Sequence, residues 1–298
     1  MNAPTRSIAV SLALAVSVSI ALPVSGSEAE TAASSGRADL TASIRQSVAR
    51  VDATHVRVTV RKHGITRSRT GFRPGNTVFD LRSRGGGNGA VQLVRLRSGY
   101  TLAMFRDDLE SDGVADIRRI DRKAVFYGGM PVHKRGVSHF GARVGAGRYY
   151  LFDFDHPRWV RLRVEGTPQR RALPRTTGPV DMVLKGEDHR FRTPRRLPRA
   201  GWLRQTNRTD EPHFMDMIKV KRSTTRRQVR RAFAGKGPDN PGWLLREYPG
   251  TFAVSPGHTV VWRYAYPRGK YLEACFWPSD EDGTPHAEMG MWNFTTLH

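Results

Sequence analysis

The sequence predicts an all-β protein made of two tandem antiparallel β-sandwiches, each with one short helix. Two observations carry this prediction. Short apolar runs, several of them alternating, are cut by Pro/Gly turn signals roughly every eight to twelve residues, the spacing of sandwich strands. The whole pattern then occurs a second time, as an internal repeat of domain size.

The 298 residues open on Arg6, an uncharged apolar run from Ile8 to Leu22, and a small polar stretch from Pro23 to Ala29. The run is short for a bilayer span, so residues 1–30 read as a secretory signal peptide and the protein as exported, secreted or envelope-associated. Leu40, Ile44, Val48 and Val51 have the spacing of a short helix. From His55 onward the pattern alternates: Val56, Val58 and Val60 share one face of a half-buried strand.

The repeat follows. Phe72–Leu81 and Gly89–Phe105 form a strand after a Pro/Gly turn, a second strand (Val91–Leu96) and a helix start. Leu197–Asn207 and His213–Val229 do the same, with the second strand at Met215–Val220 and a basic helix carrying Arg226, Arg227, Arg230 and Arg231. Tyr127–Gly136 aligns without a gap on Tyr248–Gly257, and Gly147–Asp153 on Gly269–Cys275. The units end in strands at Trp159–Val164 and Trp292–Thr296. They span Ser43–Gly166 and Gly178–His298, joined by a Pro-, Arg- and Thr-rich linker over 167–177. Each is long enough to bury its own core.

The formal net charge is +22, from 49 Lys and Arg against 27 Asp and Glu. The leader holds Arg6 against Glu28 and Glu30, so its removal leaves about +23. Such a field attracts acidic wall polymers or other polyanions. No nucleic-acid-binding motif accompanies it, which argues against specific nucleic-acid recognition.

Cys275 is the single cysteine, so an internal disulfide is excluded. It closes the strand-like run Lys270–Ala274 and leads into F-W-P-S-D-E-D-G-T-P-H-A-E-M-G-M, which holds His286 and Met291. Thiolate, imidazole and thioether belong to the soft ligand set of a mononuclear copper site that takes one more imidazole. The repeat locates a candidate: His213 opens the strand Phe214–Val220, and its place in the first unit is taken by Gly89. Asp153 likewise stands in the place of Cys275, and no His-x4-Met follows it, so the first unit is a degenerate copy without ligands.

The order His213, Cys275, His286-x4-Met291 resembles the type 1 blue-copper site of cupredoxins, and E-P-H with P-H-A-E-M-G-M is similar to exported bacterial cupredoxin-like proteins. The resemblance implies Greek-key sandwiches and one copper ion held by His213, Cys275, His286 and, axially, Met291. It also implies one-electron transfer with a redox protein partner, or copper handling. Met289 competes for the axial place. The ten residues between Cys275 and His286 exceed the plastocyanin loop. Multicopper oxidases of this class use His-x-His pairs. None of the ten histidines here forms one, so an enzyme is not expected. A second reading leaves the metal out: a cupredoxin-like envelope protein that binds polyanions or a protein partner through its basic surface.

Overall fold

The alternation becomes strands in two sheets. In the computed structural model, which describes residues 53–298 except 86–88, 112, 135, 157, 186–187 and 239–240, the first half runs β1 (Thr54–Arg61), β2 (Gly64–Arg67), β3 (Gly71–Phe72), β4 (Gly75–Ser83), β5 (Gly89–Leu96), helices α1 (Leu102–Glu110) and α2 (Val114–Lys123), β6 (Ala124–Val132), β7 (Val137–Val144), β8 (Gly147–Asp153) and β9 (Arg158–Val164). The second half runs β10 (Gly178–Lys185), β11 (Asp188–Arg192), β12 (Arg196–Leu197), β13 (Ala200–Arg208), β14 (His213–Val220), α3 (Arg226–Phe233), β15 (Leu244–Val254), β16 (Thr259–Ala265), β17 (Gly269–Ala274) and β18 (Trp292–Leu297). The predicted signal peptide and the helix ahead of β1 lie outside the described residues.

The all-β class holds, and the duplication extends to topology. β1 pairs antiparallel with β2 and parallel with β4, and β10 does the same with β11 and β13. β4 pairs with β7 as β13 does with β16. β5 lies between β6 and β8 as β14 lies between β15 and β17. β9 flanks β8 as β18 flanks β17. Each half carries the expected short helix, α1 and α3, both opened by a threonine N-cap: Thr101 accepts from the Met104 amide and Thr225 forms a capping box with Gln228. The first half adds α2, whose Ile117 and Ile120 turn inward.

The halves are joined through the copies of the same strands. β15 pairs antiparallel with β6, and β16 with β7. This produces an eight-stranded and a ten-stranded sheet, each continuous through both halves. Side chains close the seam: Gln92 donates to the Gly128 and Ala253 carbonyls, and Thr251 to the Gly129 carbonyl. Val56, Val58 and Val60 point into one core with Leu203, Trp262 and Tyr271 of the other half. Each such fully buried side chain contributes about 1.5–3 kcal/mol. Residues 167–177 are laid along this seam, with the Gln169 amide bonded to the Pro74 carbonyl and Leu173 against Val78, Trp202 and Val261.

The repeated Y-x-G has a steric cause. A Cβ on Gly129 would stand 2.2 Å from the Val91 carbonyl oxygen, and one on Gly250 would stand 1.9 Å from that of Met215. In both copies the backbones meet where only hydrogen fits.

A candidate thiolate–imidazole metal centre

The strand ends deliver the predicted donors to one pole of the second half. His213 is the first residue of β14, and Cys275 follows the last residue of β17, its neighbour in the sheet. The turn before His213 is held from inside: Asn207 donates to the Glu211 and Val254 carbonyls, and the Thr209 hydroxyl also reaches Glu211.

Residues 275–291 then fold back on themselves. The Cys275 amide bonds the Met291 carbonyl at 3.2 Å, and the Ala287 amide bonds the Cys275 carbonyl at 2.6 Å. The His286 amide bonds the Trp277 carbonyl at 3.0 Å, and the Met291 amide bonds the His286 carbonyl at 2.8 Å. Arg190 of β11 donates to the Gly290 carbonyl at 2.8 Å. Gly290 sits at φ +104, a left-handed value in which glycine is unstrained.

The first half supports this loop from below. Trp277 meets Phe126 edge to face at 5.3 Å, and Arg118 of α2 donates to the Asp280 and Glu281 carbonyls. The helix without a counterpart in the second half therefore underlies the loop without a counterpart in the first.

Three donor atoms converge. His213 Nδ1 and His286 Nδ1 are 2.9 Å apart, and Cys275 Sγ lies 3.7 and 3.8 Å from them. A triangle with these sides has a circumscribed radius of about 2 Å, against about 2.0–2.1 Å for a metal–imidazole bond and about 2.3 Å for a metal–thiolate bond. Soft sulfur with two nitrogens fits copper or zinc rather than a hard cation. Met291 is buried in the same core as Cys275 and Trp277, whereas Met289, its competitor, is 39% exposed.

The surroundings set the protonation states. Burial pushes the Cys275 thiol up to about 12, with Asp216 and Glu211 acting in the same direction. Burial holds His213 well below the ordinary imidazole range, aided by the two neighbouring histidines. Burial also lowers His286, against the pull of Glu211. Two neutral imidazoles and a thiol thus surround a space that favours a thiolate only when a cation shares it. His286 Nε2 bonds Glu211 Oε2 at 2.9 Å, which leaves Nδ1 as the inward lone pair.

A residue outside the predicted set also stands here. His189 of β11 packs 4.6 Å from the His213 ring and 4.8 Å from the His286 ring, and the three imidazoles form a buried cluster with ligand atoms within 4.8 Å of one another.

The first half shows the same pole with other chemistry. Gly89 opens β5 and Asp153 closes β8, and a Cβ on Gly89 would meet Asp153 Oδ2 at 2.7 Å. The Asp153 carboxylate accepts from the Ala90 amide at 2.8 Å and from Arg158 Nε at 3.0 Å. Only residues 154–157 separate β8 from β9. A guanidinium–carboxylate pair stands where the other half sets imidazoles and a thiol.

Fold and site together define a tandem all-β protein with a buried thiol–imidazole cluster. No protein family and no curated protein matches the chain. Among solved structures, it is similar to reduced auracyanin from Roseiflexus castenholzii (15% identity, 40% of this chain and 94% of that one, TM-score 0.25). It is also similar to the blue copper protein auracyanin A from Chloroflexus aurantiacus (16%, 40% and 98%, TM-score 0.24) and to the multicopper oxidase McoA from Aquifex aeolicus (10%, 87% and 69%, TM-score 0.25). At such scores these likenesses add nothing to the chemistry of the residues.

Proposed function

We propose that this is an exported cupredoxin-like protein whose second half binds one copper ion and serves one-electron transfer or copper handling. Cys275 as thiolate, His213 and His286 as imidazoles and Met291 as thioether would hold it. The carrying observation is the triangle of Sγ and two Nδ1 atoms, sized for a single metal ion. Copper there would supply one-electron exchange between Cu(I) and Cu(II).

The chain's own part is to hold the donors. The two imidazoles are neutral and already facing each other, so ligation asks little movement of them. The loop hydrogen bonds and the Trp277–Phe126 contact fix the thiol and His286 on a rigid base. The site is closed to water, which suits electron transfer better than substrate turnover, so no enzymatic activity is proposed. An exported location and a redox protein partner complete this reading.

The purified mature protein is expected to take up one Cu(II) with an intense visible thiolate-to-copper band. Cys275→Ser is expected to abolish that band while retaining the far-UV signature of the sandwich. A colourless wild-type protein with no bound copper would refute the assignment. Glu211→Gln weakens the acceptor on His286 Nε2 and is expected to lower copper affinity roughly 10- to 100-fold, as losses of outer hydrogen-bond partners do. A chelator competition titration measures this.

A second, metal-free reading draws on α3. Arg226, Arg227, Arg230 and Arg231 are exposed and only Val229 is buried, a cationic helix face suited to an acidic polymer. Salt-sensitive polyanion binding by a copper-free protein would favour it.

A further inference from the structure

The copper assignment leaves one buried imidazole without a task. His189 is 8% exposed. Its Nε2 lies 3.1 Å from Asp210 Oδ1, and its Nδ1 is enclosed without a hydrogen-bond partner. An unpartnered buried nitrogen costs about 1–3 kcal/mol. The duplicated topology shows that the fold does not require it. In the first hairpin Arg61 faces Gly64 and Val60 faces Ile65; in the second Lys185 faces Asp188 and Leu184 faces His189. The residue at the matching position of the first half is thus Ile65, an aliphatic core side chain.

His189 and His286 are also prepared alike. His286 has a carboxylate on Nε2 from Glu211, and His189 has one on Nε2 from the adjacent Asp210. A carboxylate on the outer nitrogen fixes the proton there and turns the inner Nδ1 into a lone-pair donor, the arrangement typical of metal-ligating histidines. One turn, residues 210–211, orients two imidazoles toward the same point.

We propose that His189 is a third imidazole ligand through Nδ1, making a His3Cys centre (His189, His213, His286, Cys275) that holds Cu(II) in a tetragonal rather than trigonal field. This rests on the copper reading above and departs from it in the fourth ligand, with Met291 left as a core side chain. The spacing of up to 4.8 Å among the three imidazoles is wider than a shared coordination sphere, so loading draws His189 inward. β11 is the edge strand of the eight-stranded sheet and is bonded only to β10 there, so the movement leaves the rest of the sheet in place. Nitrogen-rich tetragonal fields are those Cu(II) prefers.

The test is electron paramagnetic resonance and visible absorption of the Cu(II)-loaded wild type, His189→Phe and His189→Ala. Phenylalanine keeps the ring volume without a donor. The wild type is expected to show the wide copper hyperfine splitting of a tetragonal site. His189→Phe is expected to narrow it, shift the thiolate band, and weaken copper at least as much as losing an outer partner does, roughly 10- to 100-fold. Free imidazole added to His189→Ala is expected to restore the wild-type spectrum, which covers the case in which the Phe variant does not fold. A wild type with narrow splitting, unchanged in spectrum and affinity by either substitution, overturns the proposal and leaves the two-imidazole site standing. A wild type that takes up no copper overturns both.

Discussion

Arg158→Ala is expected to destabilise the fold by about 3–5 kcal/mol, the cost of leaving one member of a buried ion pair without the other. Asp153 is fully buried and its partner only 10% exposed. After the substitution the carboxylate keeps the Ala90 and Asp155 amides, neither of which carries charge, and the half-exposed His156 ring with its Nδ1 3.5 Å away. Arg158 also ties β9 to the Arg61 and Lys62 carbonyls at the end of β1, so its loss unpins a strand as well. For a chain of this size the loss corresponds to a melting-temperature drop of roughly 10 °C. The double variant Asp153→Asn/Arg158→Met removes both charges and keeps similar volume. It is expected to lose much less than the single variant, since replacing a whole buried pair with neutral groups is often close to neutral. Thermal unfolding followed by circular dichroism measures both variants against the wild type. Equal losses in the single and double variants would show that packing, not charge, holds this pole together.

The same comparison explains what was legible in the sequence. Alternation named the strands because valines at 56, 58 and 60 share a face that the fold buries. The repeat located His213, because Gly89 and His213 open equivalent strands and Asp153 and Cys275 close equivalent ones. Other features depend on which distant strands become neighbours, and no local pattern states that. The pairing of β6 with β15 and of β7 with β16 is one such feature. The seat of the ligand loop on α2 is another, reached across more than a hundred and fifty residues by Arg118. The different burial of Met289, 39% exposed, and Met291, fully enclosed, is a third. His189 carries a signal in the sequence itself: a histidine in a hairpin position where the first copy has isoleucine. At that position the second unit sets a polar side chain where the first sets an apolar core residue, Ile65.

Copper is expected to raise the melting temperature by roughly 10 °C at a thousandfold excess over its dissociation constant, and Cys275→Ser is expected to lose most of that gain. A ligand that binds only the folded state adds about 4 kcal/mol at that excess, and about 2–4 °C accompanies each kcal/mol in a chain of this size. The ligands of the proposed site lie on β14, on the residue after β17 and on the loop before β18, so binding there would tie together segments far apart in sequence. The pH dependence has a defined sign. The imidazoles are lowered by burial and already neutral near pH 7, so they release no proton on ligation. The Cys275 thiol, pushed up to about 12 by burial, gives up one. Apparent affinity should therefore rise about tenfold per pH unit across the neutral range, the slope for a single released proton. A steeper slope would mean that the histidines are protonated in the metal-free protein. A flat one would mean that the cation is bound elsewhere than at Cys275. Differential scanning calorimetry with and without Cu(II), repeated across that range on wild type and Cys275→Ser, reads both the gain and its slope.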